Sequence, residues 1–160
     1  MMEDNNNIKK IDSVKLAKDR GFDVQLSKLL EKNIRGCILI NKEKKEKIIV
    51  IDDFQTLEYK RFVVAYFISL YDLYLKEEKR YGKTISDIDF YQEENEEIVE
   101  YAINLLTENK LMTTYLKNEV FTNDCELCYL LMRKYKIPEF ALRQKIKKYR
   151  SDKWWHYLKN

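Results

Sequence analysis

The chain has 160 residues with 45% hydrophobic and 36% charged side chains, enough apolar matter for one compact core and enough charge to keep its surface wet. Three glycines and one proline argue against a turn-rich all-β fold, and a single histidine, His156, excludes any site that needs two histidines from one chain. Three cysteines, an odd number, argue against a disulfide framework. The net charge of +3 is unevenly spread: residues 142–160 carry seven Lys/Arg against Asp152 alone, a local +6 that leaves −3 for residues 1–141. The start, Met1-Met2-Glu3-Asp4-Asn5-Asn6-Asn7, has no basic segment followed by an apolar one, so the expectation is a cytoplasmic protein without a signal peptide.

In chain order, Asp12 or Ser13 can cap a helix through Val14, Leu16 and Ala17 that ends at Gly21. Phe22 to Gln25 alternates and reads as a first strand, and Ser27 to Lys32 as a short helical or loop segment. Gly36-Cys37-Ile38-Leu39-Ile40 and Lys47-Ile48-Ile49-Val50-Ile51 are β-branched runs around a charged connection, the signature of a hairpin with a longer loop. The expected sheet is small and mostly antiparallel, with three strands or four.

The periodicity then changes. From Phe62 to Leu75 only Ser69 and Asp72 are clearly polar, and a helix apolar on every face is a buried one. The run is too short for a membrane span and is interrupted by charge, so no membrane association is expected. Lys79 to Asp89 reads as a polar loop around Gly82, and Glu93 to Leu106 as an amphipathic helix with an acidic first turn. Leu111 to Val120 suggests a short helix. Thr122, Asn123 or Asp124 can cap another that runs to about Lys136, and Pro138 suits the first turn of a last helix to about Tyr149. The fold class is α+β, with a three-stranded sheet against a buried central helix and then a helical C-terminal part. The expected division is 11–110 for the α+β domain and 111–160 for the helical part.

Three stretches resemble the ImmA/IrrE family of zinc metallopeptidases in order and spacing. Lys47-Ile48-Ile49-Val50-Ile51-Asp52 followed by Tyr59-Lys60-Arg61-Phe62-Val63-Val64-Ala65 is similar to the family's strand and its R-F-x-x-A lead into the zinc helix. Glu97 through Leu106 resembles its E-A-N-x-F-A-A-x-L-L helix, and Glu126 through Arg143 its helix-turn-helix-like segment. The resemblance implies a zincin-like scaffold over Asp12 to Tyr149. It also locates the departure. Where the family carries H-E-x-x-H, two histidines one turn apart to bind zinc and a glutamate as general base, this chain carries Tyr66-Phe67-Ile68-Ser69-Leu70. Of the implied metal ligands only Glu97 has a counterpart. The resemblance thus implies a pseudoenzyme: no catalytic residues, no metal, no cofactor, and a role in binding a protein, such as a transcriptional repressor or another regulator of a mobile element or stress response.

On this reading the contact surface is the closed cleft around Tyr66, Phe67, Leu70 and Glu97, with the basic aromatic tail Lys147, Lys148, Arg150, Trp154 and Trp155 as a second candidate. The alternative is a DNA-binding regulator that uses residues 125–150 as a helix-turn-helix, with Arg143, Gln144, Lys147 and Lys148 toward the groove and phosphates. Cys125 and Cys128 form a lone C-x-x-C. They lack the second hook that zinc requires and read as thiols packed on one helix face. Asp87, Asp89, Glu93, Glu94, Glu96 and Glu97 have no EF-hand alternation and read as a solvated acidic face.

Overall fold

The computed structural model describes residues 12–107, 115–117 and 123–158, with side chains as far as residue 152. Helix α1 (Ser13–Asp19) is capped by Asp12, whose carboxylate accepts from the amides of Val14 and Lys15. It ends at Arg20, and Gly21 supplies the left-handed residue (φ 77°) that turns the chain into β1 (Asp23–Ser27). Strands β2 (Ile34–Asn41) and β3 (Glu46–Asp52) form the expected hairpin. Ser27–Lys32 is a bend and turn rather than a helix.

The sheet differs from expectation in number and in kind. Arg80–Ser86, within the stretch expected to be a polar loop, is a fourth strand, β4. The order is β1-β3-β2-β4, with β1 parallel to β3 and both other pairings antiparallel, so the sheet is mixed. Strand β4 lies at the edge, where only one side of its backbone is paired. Of its side chains only Ile85 is fully buried, too little apolar signal to register as a strand. Gly82, which reads as a turn residue, is mid-strand: a Cβ there would stand 3.3 Å from Leu39 Cδ2 on the neighbouring strand.

Helix α2 (Leu57–Leu70), capped by Thr56, is the centre of the core, and every residue from Phe62 to Leu70 is buried. The expected single helix to Leu75 is instead α2 followed by a wider π turn over Tyr71–Leu75. After β4, two short 3-10 turns (Asp87–Tyr91 and Glu93–Asn95) lead into α3 (Glu96–Leu106), which starts three residues later than the apolar pattern suggests. Asn123 caps α4 (Asp124–Tyr135), which ends at Lys136 in the left-handed conformation (φ 53°). Helix α5 (Glu139–Leu158) begins after Pro138 and runs nine residues past Tyr149. Of the short helix expected over Leu111–Val120, residues 115–117 are helical and the rest lies outside the described residues, as does Thr122.

One buried cluster runs from the sheet (Ile38, Ile49, Ile51) through α2 and α3 to Leu127, Leu131, Leu142 and Ile146 on α4 and α5. The expected boundary at 110/111 falls outside the described residues. The side chains on either side of it share this core.

Gly36 sets how closely α2 approaches the sheet. A Cβ on it would meet the Val50 carbonyl oxygen at 2.7 Å, Phe67 at 3.0 Å and Val63 at 3.2 Å. The first of these is backbone, which cannot swing away. Gly36→Ala should therefore destabilise the fold by about 1–3 kcal/mol, as overpacking does, measured as a lower urea midpoint at unchanged slope.

Candidate functional site

The positions aligned with a zinc-binding motif are interior. Tyr66 and Phe67 have no exposed surface and Leu70 is buried. Tyr66 packs edge-on against Phe90 at 5.1 Å and Phe67 at 6.0 Å, and Phe90 stacks on Phe140 of α5 at 5.4 Å. Ser69 donates to the Ala65 carbonyl at 2.7 Å within its own helix. Glu97 is exposed in the first turn of α3 and accepts from the Tyr74 hydroxyl, not from Tyr66 or Ser69. Of the expected contact surface, Tyr66, Phe67 and Leu70 are therefore not at the surface, because aromatic packing encloses them, and only Glu97 is exposed. These residues do not fit a zinc ion: the Phe67 phenyl and Leu70 isobutyl groups offer no lone pair, the Tyr66 phenol oxygen is a single donor shut inside the core, and the Glu97 carboxylate faces solvent. Among the described residues no three His, Cys, Asp or Glu side chains are grouped to hold a metal.

The basic C-terminal helix is less free than its sequence suggests. Lys145 and Lys148 both pair with Glu100 of α3, Lys145 at 2.6 Å. Gln144 donates to the Phe90 carbonyl at 3.1 Å, Arg143 pairs with Glu139 one turn back, and Arg150 pairs with Asp124 at 3.1 Å. Lys147 is exposed. These contacts fasten α5 to α3 and α4. The side chains of Trp154 and Trp155 lie outside the described ones. Cys128 is buried as expected for a packed thiol, whereas Cys125 is exposed beside Arg143, so the two do not share an inward face.

The residues the sequence did not bring together sit where β1, β3 and β4 end and β2 begins. Arg35 of β2 makes a two-pronged contact with Asp87, Nε to Oδ1 at 2.8 Å and Nη2 to Oδ2 at 2.6 Å, and reaches Asp52 at 3.6 Å. Tyr59 of α2 donates its hydroxyl to the same Asp87 carboxylate, and its ring lies 5.9 Å beneath the guanidinium. Asp52 also accepts from the Phe54 amide at 3.1 Å and from Gln55 Nε2 at 2.6 Å. The Arg35 hydrogen bond holds the Asp87 carboxyl below the usual carboxylate range, while burial, with Asp87 alongside, pushes the Tyr59 phenol well up. Asp87 is thus an anchor, and the Asp89 carboxylate accepts from the amide and hydroxyl of Ser86, the N-cap of its own turn; neither belongs to a merely solvated acidic face.

Around this knot stand large apolar side chains with no cover from the described residues. Phe54 is 75% exposed, Leu57 65% and Ile88 71%. Each is one or two residues from a member of the knot, so all three are carried by backbone at the same end of the sheet. Leu29, 93% exposed, lies just past the end of β1, and the Asp53 amide donates to the Ser27 carbonyl at 2.9 Å, which keeps the two strand ends together. Single exposed apolar residues are ordinary; here three stand close in sequence to one fixed polar centre. Phe54 lies within the Asp53–Thr56 turn and helix cap and Leu57 directly follows it, a signal visible in the sequence only after the strand ends are known.

Comparison with protein-family models gives no match, and no curated protein matches the chain.

Two measurements check this site. Tyr66 carries a fully buried hydroxyl without a hydrogen-bond partner among the described residues, so Tyr66→Phe should raise stability by about 1 kcal/mol. Asp87 has a depressed native pKa, so its contribution is complete above an ordinary carboxylate pKa near about 4 and is lost as pH falls through the lower native value. The stability gap between wild type and Asp87→Asn, from urea midpoints across the acid range, should therefore be widest near neutrality and narrow as pH falls below about 4.

Proposed function

We propose that the chain is a non-catalytic, zinc-free, metallopeptidase-like protein that acts by binding another protein, a transcriptional repressor or other regulator of a mobile element or stress response. The exposed apolar surface around the Arg35–Asp87 knot is the observation that carries the binding role. Phe54, Leu57 and Ile88 stand out to solvent from backbone that the Arg35, Asp52, Asp87 and Tyr59 contacts hold in place. Rigid apolar anchors set on a polar frame are the composition of a protein-binding hot spot. The resemblance to ImmA/IrrE peptidases supports the choice of partner, and Tyr66, Phe67 and Leu70 support the loss of chemistry, since they replace every histidine and base position with carbon-rich groups inside the core. The expected contact area moves accordingly, from the sealed helix to the strand ends.

A second reading, DNA binding through α4 and α5, is favoured by one observation: Arg143 and Lys147 are exposed one helical turn apart on α5, after a three-residue connection from α4. The contacts of Gln144 and Lys148 to Phe90 and Glu100 count against it, because groove contact would have to break them.

One pair of variants separates the two readings. Phe54→Ser/Ile88→Ser should abolish capture of a specific protein partner from the native host while leaving the circular dichroism spectrum unchanged. Lys147→Glu/Lys148→Glu should leave that capture intact. A salt-sensitive DNA mobility shift that the lysine variant removes and the apolar variant does not would reverse the assignment.

A further inference from the structure

The outer face of the sheet is apolar at its centre and has no helix on it among the described residues. Side chains alternate across a strand, and Gly36, Ile38 and Ile40 of β2 with Ile49 and Ile51 of β3 face α2. The intervening Cys37, Leu39, Ile48 and Val50 therefore point away from it. The register pairs Leu39 with Ile48 and Cys37 with Val50, so these four form one contiguous block over the two central strands. Leu39 is 47% exposed, and a shallow depression of about 480 Å³ opens over Leu39, Ile48 and the bare Gly82. An antiparallel pair with one wet face normally alternates apolar with polar, and β2 and β3 do not.

The margins of this block are polar and asymmetric in charge. On the β1–β3 half the outward positions at its edge are Asp23, level with Ile48, and Glu46. On the β2–β4 half the corresponding outward charge is Arg80, level with Asn41. Arg80 pairs with Glu43, but both are more than 60% exposed, and an ion pair so wet holds neither group firmly.

We propose that two copies of the chain associate through this face as a two-fold sheet-on-sheet dimer. A two-fold axis parallel to the strands, between β3 and β2, lays β3 of one copy over β2 of the other and β1 over β4. Ile48 then meets Leu39 and Val50 meets Cys37, while Gln25 meets Thr84. The acidic edge of each copy lies over the basic edge of its partner, with Asp23 opposite Gly82, two residues along the strand from Arg80. That span, about 6.6 Å of strand, is within reach of an arginine side chain. Apolar centre, polar rim and self-complementary charge are what an isologous interface requires, and aligned sheets pack in this way about 10 Å apart. The inference concerns a different face from the strand-end surface and does not depend on the function proposed above.

Sedimentation of the full chain tests it. Wild type should approach twice the single-chain mass of 19.5 kDa as concentration rises, and the thiol of Cys37 should lose reactivity toward a maleimide over the same range, read by peptide mass spectrometry. Asp23→Arg should raise the dimer dissociation constant about ten-fold or more, because it sets like charges against each other. Combining it with Arg80→Asp should restore most of the loss. Both positions are at the exposed margin, so this exchange stands even where Leu39→Lys, the direct disruption of the centre, fails to fold. Single-chain mass throughout, or a dimer indifferent to the charge exchange and to Leu39→Lys, overturns the proposal. So does a Cys37 thiol equally reactive at every concentration.

Discussion

From Phe62 to Leu70 helix α2 has no side left for water, and the rest of the chain is arranged to satisfy that constraint. The four-stranded sheet covers one flank, with Gly36 letting Phe67 and Val63 come down onto β2 and β3. The 3-10 turn carrying Phe90, helix α3 and the start of α5 cover the others. A helix in that position cannot carry an unpaired polar group cheaply, so Ser69 bonds back to its own helix and the Tyr66 hydroxyl is a local misfit. A zinc centre of the H-E-x-x-H type does not fit this stretch of α2. It would require histidines, a carboxylate and water in the space that Tyr66, Phe67, Phe90 and Phe140 occupy with interlocking rings.

Polar order is instead concentrated where α2 enters the core. Arg35 draws together β2, the end of β3 through Asp52 and the end of β4 through Asp87, and Tyr59 connects the same carboxylate to α2. Arg61, two residues further along, donates to the Tyr135 and Lys136 carbonyls, which closes the C-terminus of α4 onto α2. The R-F pair at 61–62 thus has a structural role independent of any zinc helix behind it: the arginine caps a neighbouring helix and the phenylalanine enters the aromatic stack. The resemblance to a peptidase lead sequence and the physical need for these two residues coincide here.

The parts of the fold legible in the sequence were those whose signal is local and strong. Asp12 and Asn123 act as caps, Gly21 turns the chain, the β2–β3 run is unmistakable and the unbroken apolar stretch from Phe62 marks the core helix. Strand β4 is not legible locally because an edge strand needs apolar residues on one face only, and Lys83 and Thr84 supply none. The parallel pairing of β1 with β3 rests on contacts between segments more than twenty residues apart, which no local pattern encodes. The same reason hid the strand-end site. Arg35 and Asp87 are 52 residues apart in sequence, and each looks like an ordinary surface charge until the sheet brings them within 3 Å. The tail misled in the opposite direction: its lysines promised a free basic surface, yet two of them are tied to one carboxylate, Glu100.

The two apolar surfaces are geometrically compatible. The strand ends that hold Phe54, Leu57 and Ile88 lie along the direction of the strands, and the outer face lies perpendicular to it. A two-fold axis parallel to the strands leaves strand direction unchanged, so a dimer through the outer face carries both copies of the strand-end surface on the same side. Two such surfaces in a fixed spacing act on a dimeric partner as one bivalent site, since the second contact is made at the effective concentration set by the first. Regulators that bind DNA as dimers present the matching symmetry. For the regulator proposed above as partner, the two surfaces of such a dimer would add by avidity, so that each individual contact need only be weak.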